Sequence, residues 1–207
     1  RDPAMMVRYG YLESHDSESV AYHEDPLRGV LERRSLTEAE WRELKAYADE
    51  CNIAFFATVA FEEELKLMVE LKCPSIKIAS LDVNCFPLLR EAARTDLCVQ
   101  LDTGNATLGE IEAAIDVLGE EGCTNYIIHQ CPSGYPARLE SINLRVIPTL
   151  KQMFQCPVAF SDHTPGWDMD IAAVALGANL IEKTITEDRT QRSPEHVMSL
   201  EPSDAAR

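Results

Sequence analysis

The chain of 207 residues is short of positive charge: 19 Lys and Arg stand against 35 Asp and Glu, a formal net charge of −16. A nucleic-acid binder needs a basic stripe to neutralise phosphates, so no nucleic-acid partner is expected. The overall balance does not fix the charge inside a pocket. Long apolar runs are also missing. The longest uncharged apolar stretch, residues 171–181, falls well short of the roughly 20 residues that span a bilayer, so no membrane partner is expected. The 7 cysteines, at positions 51, 73, 85, 98, 123, 131 and 156, are odd in number and never spaced C-x-x-C. That speaks against a disulfide framework and against a zinc site built on paired cysteines. They read as small buried hydrophobes in a reducing compartment, and the cytoplasm is the expected location. No apolar signal-peptide core follows the opening residues, and residues 1–6 are set aside as vector-derived or disordered.

A regular alternation runs through the rest. Short runs of branched and small apolar residues recur at 7–11, 53–59, 75–79, 97–101, 126–129, 158–160 and 180–185. Helical spacing fills the intervals. Thr37 with Glu40 and Thr107 with Glu110 read as capping boxes, opening helices that reach about residues 51 and 121. Residues 143–153 and 169–176 give two more helical stretches. Strand and helix alternating every roughly 20–30 residues predict βα units and a parallel sheet. The later strands are nearly continuous apolar runs, as expected when both faces of a sheet are covered. A doubly wound sheet usually carries a glycine-rich phosphate fingerprint after its first strand, and none is found here. The fold class predicted is therefore α/β, a (β/α)8 TIM-type barrel with its first βα unit lacking, occupying residues 7–207 as one domain. The acidic, weakly periodic segment 13–34 reads as a long loop of the kind that lids a site.

Barrel enzymes place their chemistry at the carboxyl ends of the strands. Those ends carry Arg8, Thr58, Lys77 with Ser80 and Asp82, Asp102, then Cys131, Ser133 and Tyr135, then Ser161, Asp162 and His163, and finally Glu182, Lys183 and Glu195. Each admits a structural reading. Lys77 can be a buried lysine paired with a carboxylate, and Glu182 with Lys183 a structural pair on alternate faces. Ser161 to His163 can be a turn cap, and Tyr135 can shape a turn. His129 inside a strand reads as a satisfied core histidine, and His196 as a surface residue. Asp162, His163 and Glu195 together can also ligate a divalent cation. As a group, Arg8, Thr58, Lys77, Ser80 and Ser161 make a cationic, hydroxyl-rich pocket suited to a small phosphate- or carboxylate-bearing substrate.

Six blocks at and near these ends resemble the sialic acid synthase family: residues 77–80 (KIAS), 131–137 (CPSGYPA), 160–166 (FSDHTPG), 173–178 (AVALGA), 181–183 (IEK) and 199–202 (SLEP). The resemblance implies a (β/α)8 barrel followed by an antifreeze-like domain, working as a homodimer with Mn2+ or Mg2+. It implies condensation of phosphoenolpyruvate with an N-acylated hexosamine to a nine-carbon 2-keto sugar acid, with release of phosphate. On that basis Arg8, Thr58, Lys77, Ser80, Ser133 and Ser161 fall at phosphoenolpyruvate-binding positions, and Asp82 and Tyr135 at sugar-binding positions. His163 falls at a metal-binding position. Lys77, Asp82, Lys183 and Glu195 are the expected catalytic set.

Departures from the family pattern accompany the match. Thr184 stands where the family has its second metal histidine, which puts the metal in doubt. Asp102 replaces a serine, Arg8 a lysine, and Glu195 an aspartate. Neither the first barrel strand nor the antifreeze-like domain is found in this sequence. Two further readings stay open: a Schiff-base aldolase or lyase using Lys77 or Lys183 as the amine, and a non-catalytic sugar-binding barrel.

Overall fold

The computed structural model describes residues 35–191 and 195–205; the expected strand at 7–11, Arg8 within it and the expected loop at 13–34 lie outside the described residues. The chain divides into two compact units, residues 1–53 and 54–207. In the first, helix α1 (Glu38–Glu50) begins at the expected capping box. Glu40 N donates to Thr37 Oγ1 at 3.3 Å, and Thr37 N donates back to Glu40 Oε2 at 2.6 Å, so two otherwise orphaned amide protons are satisfied.

The second unit alternates strand and helix throughout. Its elements run β1 (Thr58–Val59), α2 (Glu62–Glu70), β2 (Ser75–Ile78), α3 (Phe86–Ala93), β3 (Cys98–Asp102), α4 (Leu108–Glu120), β4 (Tyr126–Gln130), α5 (Val146–Phe154), β5 (Val158–Asp162), α6 (Asp168–Ala175), β6 (Leu180–Lys183) and α7 (Pro202–Ala205). All five strand pairings are parallel, and the strands lie side by side in chain order. Every βα unit therefore steps the same way. That is the winding of a TIM-type barrel, whereas a doubly wound sheet reverses its strand order at a switch point.

The sheet is strongly curled. Four strand spacings of about 4.8 Å would separate β2 from β6 by about 19 Å in a flat sheet. Yet Lys77 Nζ on β2 donates to both carboxylate oxygens of Glu182 on β6 at 2.6 Å.

Strand alternation sorts the residues onto two unlike faces. The convex face carries Ile76, Ile78, Val99, Leu101, Ile128, Val158 and Phe160, all fully buried. Ile128, Val158 and Phe160 pack there against Ile111 of α4, Ile147 and Leu150 of α5, and Ala173 of α6. The concave face carries Ser75, Lys77, Gln100, Asp102, His129, Ser161 and Glu182, which hydrogen-bond or ion-pair with one another. The expectation of strands apolar on both faces thus holds for the convex face alone.

Several element boundaries differ from the sequence reading. The run at 53–59 forms a strand only at Thr58–Val59, which among the described residues pairs with β2 alone. Helices α2 and α3 have no counterpart among the named helical stretches. They form because Leu65 and Met68 in α2, and Leu88, Leu89 and Ala92 in α3, sit at helical spacing on one buried face. None of the described helices is long and apolar enough to cross a membrane.

Candidate active site

The floor of the concave face is a continuous polar network. Gln100 Nε2 donates to Ser75 Oγ at 2.8 Å, and Gln100 Oε1 lies 3.0 Å from His129 Nε2. The other ring nitrogen, His129 Nδ1, lies 2.9 Å from Ser161 Oγ and 3.4 Å from Glu182 Oε2. Glu182 also holds Lys77, whose ammonium reaches Asp102 Oδ2 at 3.0 Å. Five strands are stitched together in this way through side chains alone. His129 and Ser161 are fully buried, and Lys77 and Asp102 nearly so.

Burial and the Lys77 charge lower the His129 pKa from 6.5 to about 4, so the ring is neutral at physiological pH. Burial alone would also lower the pKa of Lys77. Asp102 and Glu182 outweigh that effect and hold the ammonium above the ordinary lysine value. Burial, reinforced by Asp102, pushes the Cys131 thiol far up, leaving it an inert thiol rather than a nucleophile.

The carboxyl-end rim lies above this floor. Ser80 opens the turn Ser80–Asp82, which places Asp82 beyond the end of β2. Gly104 is tightly enclosed: a Cβ there would lie 3.2 Å from Cys131 O and 3.3 Å from Ser80 Oγ, so Ser80 and Cys131 flank it from the two neighbouring strands. Ser133 Oγ donates to Asn105 Oδ1 at 2.5 Å. Gly134, with φ +109°, adopts a conformation that favours glycine and starts a tight turn through the cis Tyr135–Pro136 bond. The turn brings Tyr135 onto His163, with ring centroids 4.3 Å apart. His163 Nδ1 is engaged with Pro132 O at 3.1 Å, and His163 O accepts from Ala137 N at 2.8 Å. A cavity of about 380 Å³ opens beside the rim, lined among others by Thr103, Gln130, Cys131, Ser133 and Asn143.

The NeuB family description matches residues 9–207 of this chain. The chain belongs to the NeuB family. It is 40% identical over 165 residues to N,N'-diacetyllegionaminic acid synthase of Campylobacter jejuni, covering 79% of this chain and 49% of that protein. It is 36% identical over 193 residues to the uncharacterized protein MJ1065 of Methanocaldococcus jannaschii, covering 93% of this chain and 57% of that one. A crystal structure of N-acetylneuraminic acid synthetase from Leptospira borgpetersenii, in complex with citrate, superposes with a TM-score of 0.83 at 33% identity, covering 90% of this chain and 65% of that chain. The chain spans about half the length of these curated relatives.

Within this NeuB family member the expected site residues separate into groups. Lys77 and Ser161 share the interior floor, while Ser80 and Ser133 stand at the rim and Tyr135 packs on His163. Thr58 is exposed at the start of β1, in register with Lys77. Glu195 lies at the start of a segment that returns past β6, where Leu200 N donates to Thr184 O at 2.9 Å.

Lys183, expected among the catalytic groups, stands on the opposite face of the sheet from Lys77. Its ammonium is held by Asp162, by Thr164 O and, at 3.9 Å, by Asp170 of α6. Alternation along β6 explains this, because Glu182 points inward and its neighbour must point out. The sequence reading did not foresee Asp102 and Glu182 as partners of Lys77. Counting by twos from Lys77 through the parallel register reaches both.

The metal expectation does not fit the described donors. The register that pairs Asp162 with Lys183, extended by one residue, sets His163 beside Thr184. Thr184 Oγ1 is buried without a hydrogen-bond partner among the described residues, and a neutral hydroxyl is a poor ligand for Mn2+ or Mg2+. No group of three His, Cys, Asp or Glu side chains gathers as a cation site among the described residues.

Two pH-linked predictions arise from these burials. The unfolded chain protonates His129 near 6.5 and the folded chain only near 4, so stability falls as pH drops through that window. The His129 contribution to that loss reaches about 3 kcal/mol by pH 4. Urea unfolding of wild type and His129→Gln from pH 7 to pH 4 should show the stability difference shifting toward the variant on acidification. A constant difference would contradict the buried neutral ring.

Asp170 has the opposite sign. Burial, aided by Asp162 and opposed by Lys183, raises its carboxyl from 3.8 to about 7. The folded chain retains that proton where the unfolded chain has lost it, so stability falls as pH rises from about 4 to 7. Asp170→Asn should raise the thermal midpoint at pH 8, and the gain should shrink steadily as pH approaches 4. A gain independent of pH would rule out the titration.

Proposed function

We propose that this chain forms the barrel portion of a nonulosonic acid synthase, which condenses phosphoenolpyruvate with an N-acylated hexosamine. One observation carries the reading: a buried ammonium, Lys77, lies on the concave floor of a NeuB-family sheet, with Thr58 of the expected anion-binding set in register beside it. Lys77 on the floor, with Thr58 in register beside it and Ser80 and Ser133 at the rim, forms the anion-holding set, to which the family resemblance adds Arg8 and, once its hydroxyl turns outward, Ser161. Charged donors of this kind bind carboxylate and phosphate oxygens most strongly where water is excluded.

Asp82 and Tyr135 hold the sugar. C3 of phosphoenolpyruvate attacks the aldehyde carbon of the open-chain sugar, forming the new C–C bond. Water adds at C2, the C2–O bond to phosphate breaks, and phosphate leaves with that oxygen. The chain's own residues orient the two substrates and hold the phosphate charge as it departs. Glu195 serves as a further acid or base in this reading. Assembly as a homodimer and a cytoplasmic location belong to the same proposal.

A Schiff-base reading receives no support, since that chemistry needs a free amine and both Lys77 and Lys183 are ion-paired ammonium groups. The test is phosphate release from phosphoenolpyruvate in the presence of N-acetylmannosamine or a diacetamido hexose, with calorimetric titration of phosphoenolpyruvate alone alongside it. Sugar-dependent release supports the reading. Failure of phosphoenolpyruvate both to bind and to react overturns it.

A further inference from the structure

The interior cation is already occupied. Lys77 carries one positive charge and touches two carboxylates, Glu182 through both oxygens at 2.6 Å and Asp102 at 3.0 Å. The three groups sum to −1, in a pocket that the function above requires to receive a multiply charged anion. Coulomb repulsion between an incoming oxyanion and two carboxylates in a low-dielectric site is severe, so the triad cannot stay as it is when the anion binds.

The two carboxylates are not equivalent. Glu182 grips the ammonium with two short contacts and remains 36% exposed, so water helps to carry its charge. Asp102 makes one longer contact, is 9% exposed, and has the Cys131 thiol against it. Its other oxygen accepts the Gly104 amide at 3.2 Å, and the Cys131 thiol also hydrogen-bonds to the carboxylate. Deprived of Lys77, an ionised Asp102 would be a buried and nearly uncompensated charge, and a group in that position takes up a proton instead. The charged and titratable groups facing it are Lys77 from β2, His129 of β4 and Cys131 just after β4, and Glu182 from β6. The histidine is neutral and brings no charge to offset it, and the protonated Cys131 thiol gives only a weak hydrogen bond.

We propose that Asp102 gates the interior anion site: an anion reaches Lys77 by displacing Asp102, which takes one proton from solvent as the anion binds. The gate rests on the phosphoenolpyruvate reading and makes Asp102 a specificity-determining residue within it. No covalent bond changes; a proton moves from water to the Asp102 carboxylate, and the ammonium exchanges a carboxylate for the ligand. Anions that arrive with a proton to give, or at lower pH, are favoured over fully ionised ones.

The experiment is calorimetric titration of phosphoenolpyruvate into wild type, Asp102→Asn and Asp102→Ser between pH 6 and pH 8. Each titration is run in two buffers of different ionisation enthalpy, so that proton uptake is counted directly. Wild type is expected to take up close to one proton more than either variant, the ligand's own ionisation being common to all three. Both variants should bind about tenfold or more tightly than wild type at pH 8, with the advantage shrinking toward pH 6. Equal proton uptake in wild type and variants overturns the gate and leaves the anion site standing. No binding by any of the three at any pH overturns the phosphoenolpyruvate reading and the gate together. Where a variant folds poorly, the wild-type proton count decides: zero uptake at pH 8 overturns the proposal.

Discussion

Lys77→Met is expected to weaken phosphoenolpyruvate binding sharply and to cost about 3 kcal/mol of stability at neutral pH. The side chain is nearly isosteric, so the loss is one of charge. Without the ammonium, Asp102 and Glu182 face each other across the concave floor, and the link from β2 to β6 is gone. Breaking a buried pair from one side costs more than the pair is worth, because it strands the remaining charge. The value sits at the low end of the range for such changes because Glu182 is partly hydrated. Removal of a charged hydrogen-bond partner for the ligand should weaken binding by at least about 30-fold. Denaturant unfolding at pH 7 is the check. A variant as stable as wild type at pH 7 would show that the triad contributes nothing to the fold.

Phe160→Ala should be the most destabilising single truncation in the convex core, at about 3–5 kcal/mol. Phe160 is fully buried among Ile128, Ile147, Leu150, Val158 and Ala173, contributed by strands β4 and β5 and helices α5 and α6. No one of those elements can close the resulting void, because each is pinned by its neighbours in the parallel sheet. The urea midpoint should fall with an unchanged slope. Phe160 and Ser161 point to opposite faces, so folded Phe160→Ala is expected to keep its anion affinity within about threefold, a change of under 1 kcal/mol. A destabilisation under about 1.5 kcal/mol would mean that this layer repacks freely, unlike native cores.

Strand positions were the most legible part of the sequence. The runs at 75–79, 97–101, 126–129 and 158–160 each became a strand to within two residues, because branched residues between turn-forming segments leave little choice. The helices opening at Thr37 and Thr107 were legible for a local reason: a capping box is complete within four residues. Helices α2 and α3 were not, since their apolar spacing acquires meaning only once the sheet supplies a surface to bury it.

The site divides along the same line. Tyr135, Ser133 and His163 stand in short contiguous blocks, and their neighbourhood survives folding intact. The partnership of Lys77 with Asp102 and Glu182 spans up to 105 residues and depends on how tightly the sheet curls, which no local pattern encodes. The orientation of Lys183 was hidden for a related reason. Alternation says that Glu182 and Lys183 face opposite ways, and only the register against β5 says which faces in.

The chain from Ser75 to Ser161 has a polarity. Gln100 gives an amide proton to Ser75, so its carbonyl oxygen is the end turned toward His129, and the ring nitrogen it meets must carry the hydrogen. A neutral imidazole has one such hydrogen, which leaves Nδ1 as a lone pair and obliges Ser161 to give its own proton there. Ser161 therefore turns only lone pairs toward the space above it. A water or a sugar hydroxyl can dock on that oxygen at once. A phosphate or carboxylate oxygen can do so only if the imidazole tautomer and the Gln100 amide both reverse, so that four side chains switch sense together and the corner chooses between two ligand chemistries.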